Sequence, residues 1–176
     1  MADSFAGTKQ TCRVLTARLL VRSPVEGDRC RFLQLFQDPA FMEFSDGVHD
    51  VPSANARFDT MLQTAERVPF AKQPIIVRSS GEIVGYSGAA WFEFEGALRL
   101  EFGYRLVPRA RGQGYATEAG LALLALASES FRGELLAMID RQHMASKGVI
   151  GKLGFEFWKL AHIDGYRVEL YRRSFS

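Results

Sequence analysis

The residues whose types and spacing most clearly suggest a chemical function form a short turn in the second half of the chain, from Arg109 to Ala119. Its sequence, RARGQGYATEA, places two glycines between arginines and the predicted start of an apolar helix. The first N–H groups of a helix have no intrahelical partner, and the aligned peptide dipoles leave about half a positive charge there. Gly112 and Gly114 lack a Cβ, so the backbone can approach an anion closely. We interpret this turn as the pyrophosphate site of a coenzyme.

The elements around this turn are predicted from the hydrophobic pattern. From Leu98 to Leu106, leucine and aromatic residues alternate with charged residues and glycine, which is the period of a strand. After the turn, a run rich in alanine and leucine predicts a helix that continues to about Ser128. The predicted anion site therefore lies where a strand passes through a glycine turn into a helix.

The remaining elements indicate one α/β domain. A helix with Ser53 as its N-cap is predicted in the first half, and a helix from about His143 ends at Gly154 in the second half. Further strands are predicted at residues 18–22, 74–78, 83–91, 135–140, 155–163 and 166–175. We therefore predict an N-terminal arm over residues 1–12 and one domain over residues 13–176, with a mixed sheet of about seven strands.

Composition places the chain among globular proteins, because 47% of its residues are hydrophobic and its net charge is only +2. That charge does not indicate nucleic-acid binding. Cys12 and Cys30 have neither metal-like spacing nor a disulfide framework. No signal peptide is recognisable, and no apolar run approaches the roughly 20 residues of a membrane helix. We predict a cytoplasmic monomer or homodimer without a metal, a nucleic-acid partner or a membrane partner.

Three motifs in order resemble those of the GNAT family of N-acetyltransferases. The turn at residues 109–117 resembles the signature Q/R-x-x-G-x-G/A, with its last glycine at Gly114. His143-x-x-Ser146, followed by KLGF at residues 152–155, resembles the motif N-x-x-S/A with K-x-G-F. The opening LTARLLVR, residues 15–22, resembles T-x-R-L-x-L-R of the subgroup that acetylates the N-termini of ribosomal proteins. The resemblance covers nearly the whole chain.

The resemblance implies a mixed, mostly antiparallel sheet whose central strands splay apart, with helices on both faces and acetyl-CoA in the gap. It implies that backbone N–H groups of the turn bind the pyrophosphate and that a strand edge binds the pantetheine arm. The residues implied to bind the coenzyme are Tyr104, Arg105, Leu106, Val107, Arg109, Arg111, Gly112, Gln113, Gly114, Tyr115, Ala116, Thr117, His143 and Ser146. A dinucleotide fingerprint or a Walker lysine, which other phosphate sites require, is absent from the sequence.

The implied reaction needs a base for the amine, a stabilised oxyanion and a proton donor for the leaving sulfur. An α-amine, with a pKa of about 7.7–8.0, is easier to deprotonate than lysine at about 10.4, a difference of about 3 kcal/mol. Glu101 is the first candidate base, because it lies on the strand face opposite the leucines. Glu93, on the preceding strand, is the second. For both, a solvated carboxylate or an ion pair with Arg99 or Arg105 is the alternative.

Ser146 and His143 are the other candidates for chemistry. Many members of the family place a proton-donating tyrosine at the position of Ile150, and in the ribosomal-protein subgroup the serine matching Ser146 is implied to serve instead. A local capping role for Ser146 is the alternative. His143 stands where the family has asparagine; imidazole offers a donor and an acceptor, so it can replace the amide. A solvent-exposed histidine at a helix start is the alternative.

The sequence therefore predicts an acetyl-CoA-dependent N-acetyltransferase that acts by direct attack of a primary amine in a ternary complex. A protein N-terminal α-amine is one acceptor class. Two alternatives stay open: the same fold acting on a small-molecule amine, such as a polyamine, an amino acid or an antibiotic, and a coenzyme-A-binding module with weak turnover. The segments expected to face the acceptor, residues 24–67 and 92–97, contain no pattern that chooses among them.

Overall fold

The computed structural model describes residues 12–45, 47–163 and 165–176. Within these ranges the strands are β1 (Arg13–Leu15), β2 (Leu19–Arg22), β3 (Gln73–Val77), β4 (Ile83–Phe94), β5 (Ala97–Leu106), β6 (Gly133–Asp140), β7 (Glu156–Ile163) and β8 (Tyr166–Phe175). The α-helices are α1 (Arg29–Phe36), α2 (Val51–Ala65), α3 (Tyr115–Ser130) and α4 (Met144–Lys152). The predicted arm, except for Cys12, lies outside the described residues.

The strands form one sheet in the order β1-β2-β3-β4-β5-β6-β8-β7. Strands β5 and β6 are parallel, and the other neighbouring pairs are antiparallel. The predicted α/β domain with a mixed sheet is confirmed. The sheet has one strand more than predicted, because β1 pairs with β2 from Arg13↔Arg22 to Leu15↔Leu20. Three residues are too few to show a hydrophobic period.

Helices cover both faces of the sheet, as expected. On one face, the ring of Tyr86 in β4 packs against Phe32 and Phe36 of α1, with centroids 6.4 Å away in each case. On the other face, Tyr104 of β5 reaches Ser146 of α4. These two tyrosines belong to opposite faces, because Tyr86 pairs with the residue that follows Tyr104 in β5. One face of the sheet therefore lies under α1 and α2, and the other lies under α3 and α4.

The parallel strands β5 and β6 separate soon after they meet. Their pairing consists of Leu100↔Leu135 and Glu101↔Leu136. Beyond this point β5 continues to Leu106 and β6 continues to Asp140 without mutual ladder bonds. The expected splay of the central strands is thus present, and it begins at Glu101.

One helix boundary differs from the sequence expectation. Helix α2 is capped by Asp50, whose side chain accepts a hydrogen bond from the N–H of Ser53 at 2.9 Å, so the prediction of Ser53 as the cap was wrong. Asp50 and Ser53 are both good caps, and Pro52 is accommodated in the first turn, where its missing N–H costs nothing. Every helix in the described part of the chain is too short or too polar to span a lipid bilayer.

Candidate active site

The gap between β5 and β6 opens into a cleft of about 710 Å³. Its lining includes Glu101 and Arg105 from one face of β5 and Tyr104 from the other. The cleft extends from the turn before α3 and the start of α4 to the segment between α1 and α2. Its volume lies in the range of about 300–1,000 Å³ that is typical of small-molecule and cofactor sites.

The turn before α3 presents backbone N–H groups to the cleft. Gly112 and Gly114 have φ values of 73° and 80°, in the left-handed region that favours glycine. Gly114 is the N-cap of α3 and provides no side-chain cap. The N–H groups of Tyr115, Ala116 and Thr117 therefore have no partner inside the helix. Because these residues line the cleft, a bound anion meets their N–H groups together with the helix dipole.

The arginines of this turn are engaged by carboxylates of neighbouring elements. Arg109 forms an ion pair with Glu82, and its side chain, 60% exposed, lies outside the lining of the cleft. Arg111 does line the cleft, where its guanidinium donates to Glu43 Oε2 at 2.9 Å and to the C=O of Ala40 at 2.6 Å. Both arginines were predicted to bind the coenzyme, and the structure brings only Arg111 to the cleft.

Arg18, from the opening motif, holds the turn from its outer side. Its guanidinium donates to the C=O of Gln113 at 2.8 Å and pairs with Glu118 at 2.6 Å. The side chain of Gln113 donates to the C=O of Arg109 at 2.7 Å and lies outside the cleft lining. Gln113 was predicted to bind the coenzyme as part of a turn that acts mainly through backbone N–H groups, and its side chain stabilises that turn.

The open edge of β5 supplies further backbone groups. Beyond Glu101 the strand has no ladder partner in β6, so the N–H and C=O groups of residues 102–106 that point toward β6 face the gap. Of the predicted pantetheine-binding residues, Tyr104, Arg105 and Leu106 line the cleft, whereas the N–H of Val107 is bonded to β4. An extended chain with amide groups can pair with such an edge as an added strand does.

Three hydrogen-bonded polar side chains line the α3–α4 side of the cleft. Tyr104 Oη lies 3.0 Å from Ser146 Oγ, which lies 2.8 Å from His143 Nδ1. His143 is the N-cap of α4 and Ser146 is in its first turn, so the helix places both side chains on one stripe with the buried Ile150. When Nδ1 accepts the Ser146 proton, Ser146 Oγ is free to accept from the Tyr104 hydroxyl.

The surroundings of Tyr104 and His143, the two outer members of this hydrogen-bonded series, keep both side chains neutral. Burial is the main cause that raises the pKa of the Tyr104 phenol, so it carries its proton at neutral pH. Burial, assisted by the positive charge of Arg111, lowers the pKa of His143. The His143 ring is also stacked on Phe44, with the centroids 3.9 Å apart and the planes at 14°. His143 is therefore a neutral, fixed hydrogen-bond partner of Ser146.

Glu101 occupies the point where β5 and β6 diverge. Its Oε2 lies 3.1 Å from Lys72 Nζ, and the two side chains are only 13% and 20% exposed. The carboxylate folds back over Gly103, since a Cβ at residue 103 would lie 2.5 Å from Oε1. A side chain larger than hydrogen at residue 103 would displace the carboxylate. The glutamate is thus held in one orientation at the mouth of the gap.

The ion-pair partner of Glu101 was not foreseen, because the expected partners were Arg99 and Arg105 of the same strand. Lys72 comes from the segment before β3, and its N–H donates to the C=O of Ala89 at 3.0 Å. Gly88 makes this approach possible, since a Cβ there would lie 2.0 Å from a backbone oxygen of that segment. A contact between such distant parts of the chain leaves no local sequence pattern.

Glu93 does not share the site. In the regular β4–β5 register, Glu93 lies opposite Leu98 and Glu101 lies opposite Ala90. Glu93 is three positions from Ala90, an odd number, so Glu93 points to the other face of the sheet. It is exposed and outside the cleft lining. The expectation that the preceding strand brings Glu93 near the cleft is therefore wrong.

Sequence reasoning also missed the roles of several side chains. Tyr104 was considered only for its backbone, although its place in the alternating pattern already put its ring on the face opposite Glu101. Tyr86 lies within an apolar strand and pairs with Arg105 across β4 and β5, a register that a single sequence does not reveal. Phe44 belongs to a segment without a hydrophobic period.

The fold and the site together identify a class of protein. Residues 18–156 match the family model of the acetyltransferase (GNAT) domain. This match covers most of the chain, and the chain belongs to that family of acyltransferases.

Individual relatives span nearly the same length. The uncharacterized protein YkkB of Bacillus subtilis (strain 168) is 26% identical over 163 residues, 92% of this chain and 95% of that protein. A putative GNAT-family acetyltransferase from Bordetella pertussis superposes with a TM-score of 0.81 at 21% identity, over 92% of this chain and 99% of its own. The ribosomal L7/L12 α-N-protein acetyltransferase RimL, solved with coenzyme A, gives 0.74 at 16% identity over 94% and 98%. These structures share the fold of this chain.

Proposed function

We propose that this protein transfers the acetyl group of acetyl-CoA directly to a primary amine while both substrates are bound. The observation that carries the proposal is the gap between β5 and β6, which begins at Glu101 and leads to the open N–H groups at the start of α3. A coenzyme can enter from the α3–α4 face and an amine from the α1–α2 face. The carbonyl under attack then lies between them, close to Glu101.

The chain offers acetyl-CoA two sets of backbone groups. The N–H groups of residues 115–117 suit the pyrophosphate, and the open edge of β5 suits the amides of the pantetheine arm. RimL, which shares the fold, was solved with coenzyme A. The cosubstrate we propose is therefore acetyl-CoA, bound mainly through the backbone.

Glu101 is the proposed base for the amine. Its carboxylate lies at the mouth of the gap, and the ion pair with Lys72 at 3.1 Å fixes its position. A proton leaves the ammonium for Glu101, directly or through one water, before nitrogen attacks the thioester carbon. An α-amine requires about 3 kcal/mol less for this step than a lysine side chain. We therefore propose an α-amine, such as a protein N-terminus, ahead of a lysine.

Ser146 is the proposed proton donor to the leaving sulfur, with Tyr104 and His143 behind it. As the carbon–nitrogen bond forms, the carbon–sulfur bond breaks and sulfur takes a proton from the Ser146 hydroxyl. The attacking nitrogen gives its second proton to water, and water returns a proton to Tyr104, so the one proton released overall is the one that Glu101 took. Tyr104, whose pKa burial raises, carries the proton that restores Ser146. Hydrogen bonds to Tyr104 and His143 fix the position of Ser146 Oγ. To protonate sulfur, the hydroxyl turns its proton from His143 Nδ1 to the sulfur while it accepts from Tyr104.

Binding and turnover are tested separately. We expect acetyl-CoA to bind with saturation well below millimolar concentration in calorimetric titration, and thiol release to depend on an added amine. Ser146→Ala should lower kcat by about 100-fold, within the range of general acid–base catalysis, with acetyl-CoA affinity unchanged. Ser128→Ala, which removes an exposed hydroxyl bonded only within α3, is the matched control.

Two results contradict parts of this proposal. Binding of acetyl-CoA without thiol release on any amine identifies a coenzyme-binding module rather than an enzyme. A Ser146→Ala variant as active as Ser128→Ala shows that another group protonates the sulfur.

A further inference from the structure

On the α1–α2 side of the cleft, Arg105 has only weak hydrogen-bond acceptors among the residues that the structure describes. Arg105 lines the cleft and is partly buried. Its Nη1 lies 3.1 Å from the thioether sulfur of Met42, and its Nη2 lies 3.5 Å from the C=O of Phe44. A thioether is a weak acceptor and 3.5 Å is a long hydrogen bond. Among the described residues no carboxylate forms an ion pair with Arg105.

The wall around Arg105 is positively polarised. Tyr86 lies directly opposite Arg105 in the β4–β5 register and is buried. Lys72 Nζ lies 5.7 Å from the centre of the Tyr86 ring. Burial alone would raise the pKa of the Tyr86 phenol, but the positive charges of Arg105, Lys72 and Arg57 lower it below its ordinary value. The site therefore favours an anion in spite of its low exposure to water.

The backbone sets the separation between this positive wall and the proposed base. The Glu101 carboxylate lies over Gly103, and Arg105 is two residues further along the same face of β5. Two residues of a strand span about 7 Å. A molecule that offers an amine to Glu101 and an anion to Arg105 must hold the two groups only a few bonds apart.

We propose that the acceptor is a compact amino carboxylate, whose carboxylate Arg105 binds while its amine faces Glu101. This inference rests on the proposed acetyl transfer. A planar guanidinium suits a carboxylate because two parallel N–H bonds match its two oxygens. Polyamines are disfavoured, since their second ammonium would approach Lys72 and Arg105. The same chemistry occurs in a free amino acid and in the N-terminal aspartate or glutamate of a peptide.

The experiment compares matched acceptors in the acetyl-CoA thiol-release assay. One arm pairs free L-amino acids with their amides, which have the same side chain and no carboxylate. A second arm pairs peptides that begin with Asp or Glu with those that begin with Asn or Gln. Spermidine forms the third arm. Because an amino-acid amide has a less basic amine, it would be the better acceptor if the carboxylate were not recognised.

We expect the carboxylate member of one pair to have a kcat/KM at least 10-fold higher than its amide partner. Arg105→Gln should lower that kcat/KM by about 10- to 100-fold, mainly through KM, because a hydrogen bond to a charged group is lost. The neutral partner should change less than about 3-fold. Arg105→Lys should recover part of the loss. Arg13→Gln, an exposed arginine on the distant edge strand β1, is the matched control.

The outcomes separate this inference from the proposed function. If the carboxylate member has the higher kcat/KM in the first arm, the acceptor is a free amino acid. If it does so in the second arm, the acceptor is a peptide with an acidic N-terminal residue. Amides, neutral peptides or spermidine that react as well as the carboxylates overturn the inference and leave acetyl transfer intact. The inference is also overturned if Arg105→Gln lowers kcat/KM by the same factor for charged and for neutral acceptors. No thiol release with any amine overturns the proposed function, and this inference with it.

Discussion

The two ends of the cleft are built to meet negative charge in different ways. At the α3 turn, Arg109 and Arg111 are paired with Glu82 and Glu43, and the donors left open are backbone N–H groups. On the wall around Arg105 the backbone of β4 and β5 is paired in a regular register, and the open donors belong to the side chain of Arg105. In the function we propose, one end binds the coenzyme through the main chain and the other binds the acceptor through a side chain.

This difference corresponds to what each end has to recognise. A pyrophosphate is the same in every turnover, and a glycine turn at a helix start can bind it whatever the neighbouring side chains are. An acceptor differs from one member of a fold family to another, so its recognition depends on exchangeable side chains. Substitutions of side chains should consequently matter most on the acceptor side, whereas substitutions of glycine should matter most at the turn.

The largest effect is expected from Glu101→Gln, which keeps the size of the side chain and removes its basicity. We expect kcat near pH 7 to fall by about 100- to 1,000-fold, within the range of general-base catalysis, with little change in acetyl-CoA affinity. Gly103→Ala keeps the Glu101 carboxylate but moves it, since the new Cβ would lie 2.5 Å from Oε1. We therefore expect a smaller loss of kcat than in Glu101→Gln. Both are measured by thiol release.

Glu93→Gln is the comparison variant for this series, because Glu93 lies on the opposite face of the sheet. If Glu93→Gln lowered kcat as much as Glu101→Gln, the assignment of Glu101 as the base would be wrong. Full activity in Glu101→Gln across pH 6–9 would move the role of base to water or to the coenzyme side of the cleft.

A smaller effect is expected at the turn, where backbone and side chain can be tested against each other. Gly114→Ala places a Cβ at φ 80° and 3.3 Å from Arg18 Nη2. The strain costs about 1 kcal/mol, so we expect the acetyl-CoA Kd to rise about 5-fold. Arg109→Gln should change this Kd by less than about 2-fold, because its guanidinium is paired with Glu82. Calorimetric titration measures both, and a larger loss in Arg109→Gln would break the comparison.

The sequence was sufficient for those features that depend on contiguous residues. The strand before the turn follows from the period of two at 98–106. The turn follows from its glycines at 112 and 114, and the helix after it follows from the alanine- and leucine-rich run. The alternating faces of β5 also placed Glu101 opposite the leucines. The end of α4 was foreseen because Gly154, with φ 76°, serves as its C′ residue.

Features that depend on register and on distant contacts were not predictable in this way. Glu93 was misplaced because its face follows from the β4–β5 register. Lys72 reaches Glu101 only because Gly88 admits another segment against β4. The bond between Tyr104 and Ser146 joins residues 42 positions apart. Hydrophobic period assigns a residue to a face, but it does not say which residue of another element will lie opposite.

The smallest expected effect is the contribution of His143 to the pH dependence of the free energy of unfolding. Its pKa is lowered in the folded protein, first by burial and then by Arg111. Between the ordinary value of about 6.5 and the lower folded value, the unfolded chain binds more protons, so stability falls as the pH decreases through this window. Above the window His143 contributes no pH dependence. Protonation would also remove the Nδ1 acceptor that binds Ser146.

Urea unfolding of the wild type and of His143→Gln between pH 5 and 8 measures this contribution. The difference between the two free energies of unfolding isolates His143, because the other titrating groups are common to both proteins. We expect the wild type to lose stability relative to His143→Gln as the pH falls below about 6.5. A difference that is constant, or that grows in favour of the wild type at low pH, would mean that His143 is charged in the fold. In that case His143 would donate to Ser146 instead of accepting from it, and the hydrogen-bond directions between Tyr104, Ser146 and His143 would differ from those we propose.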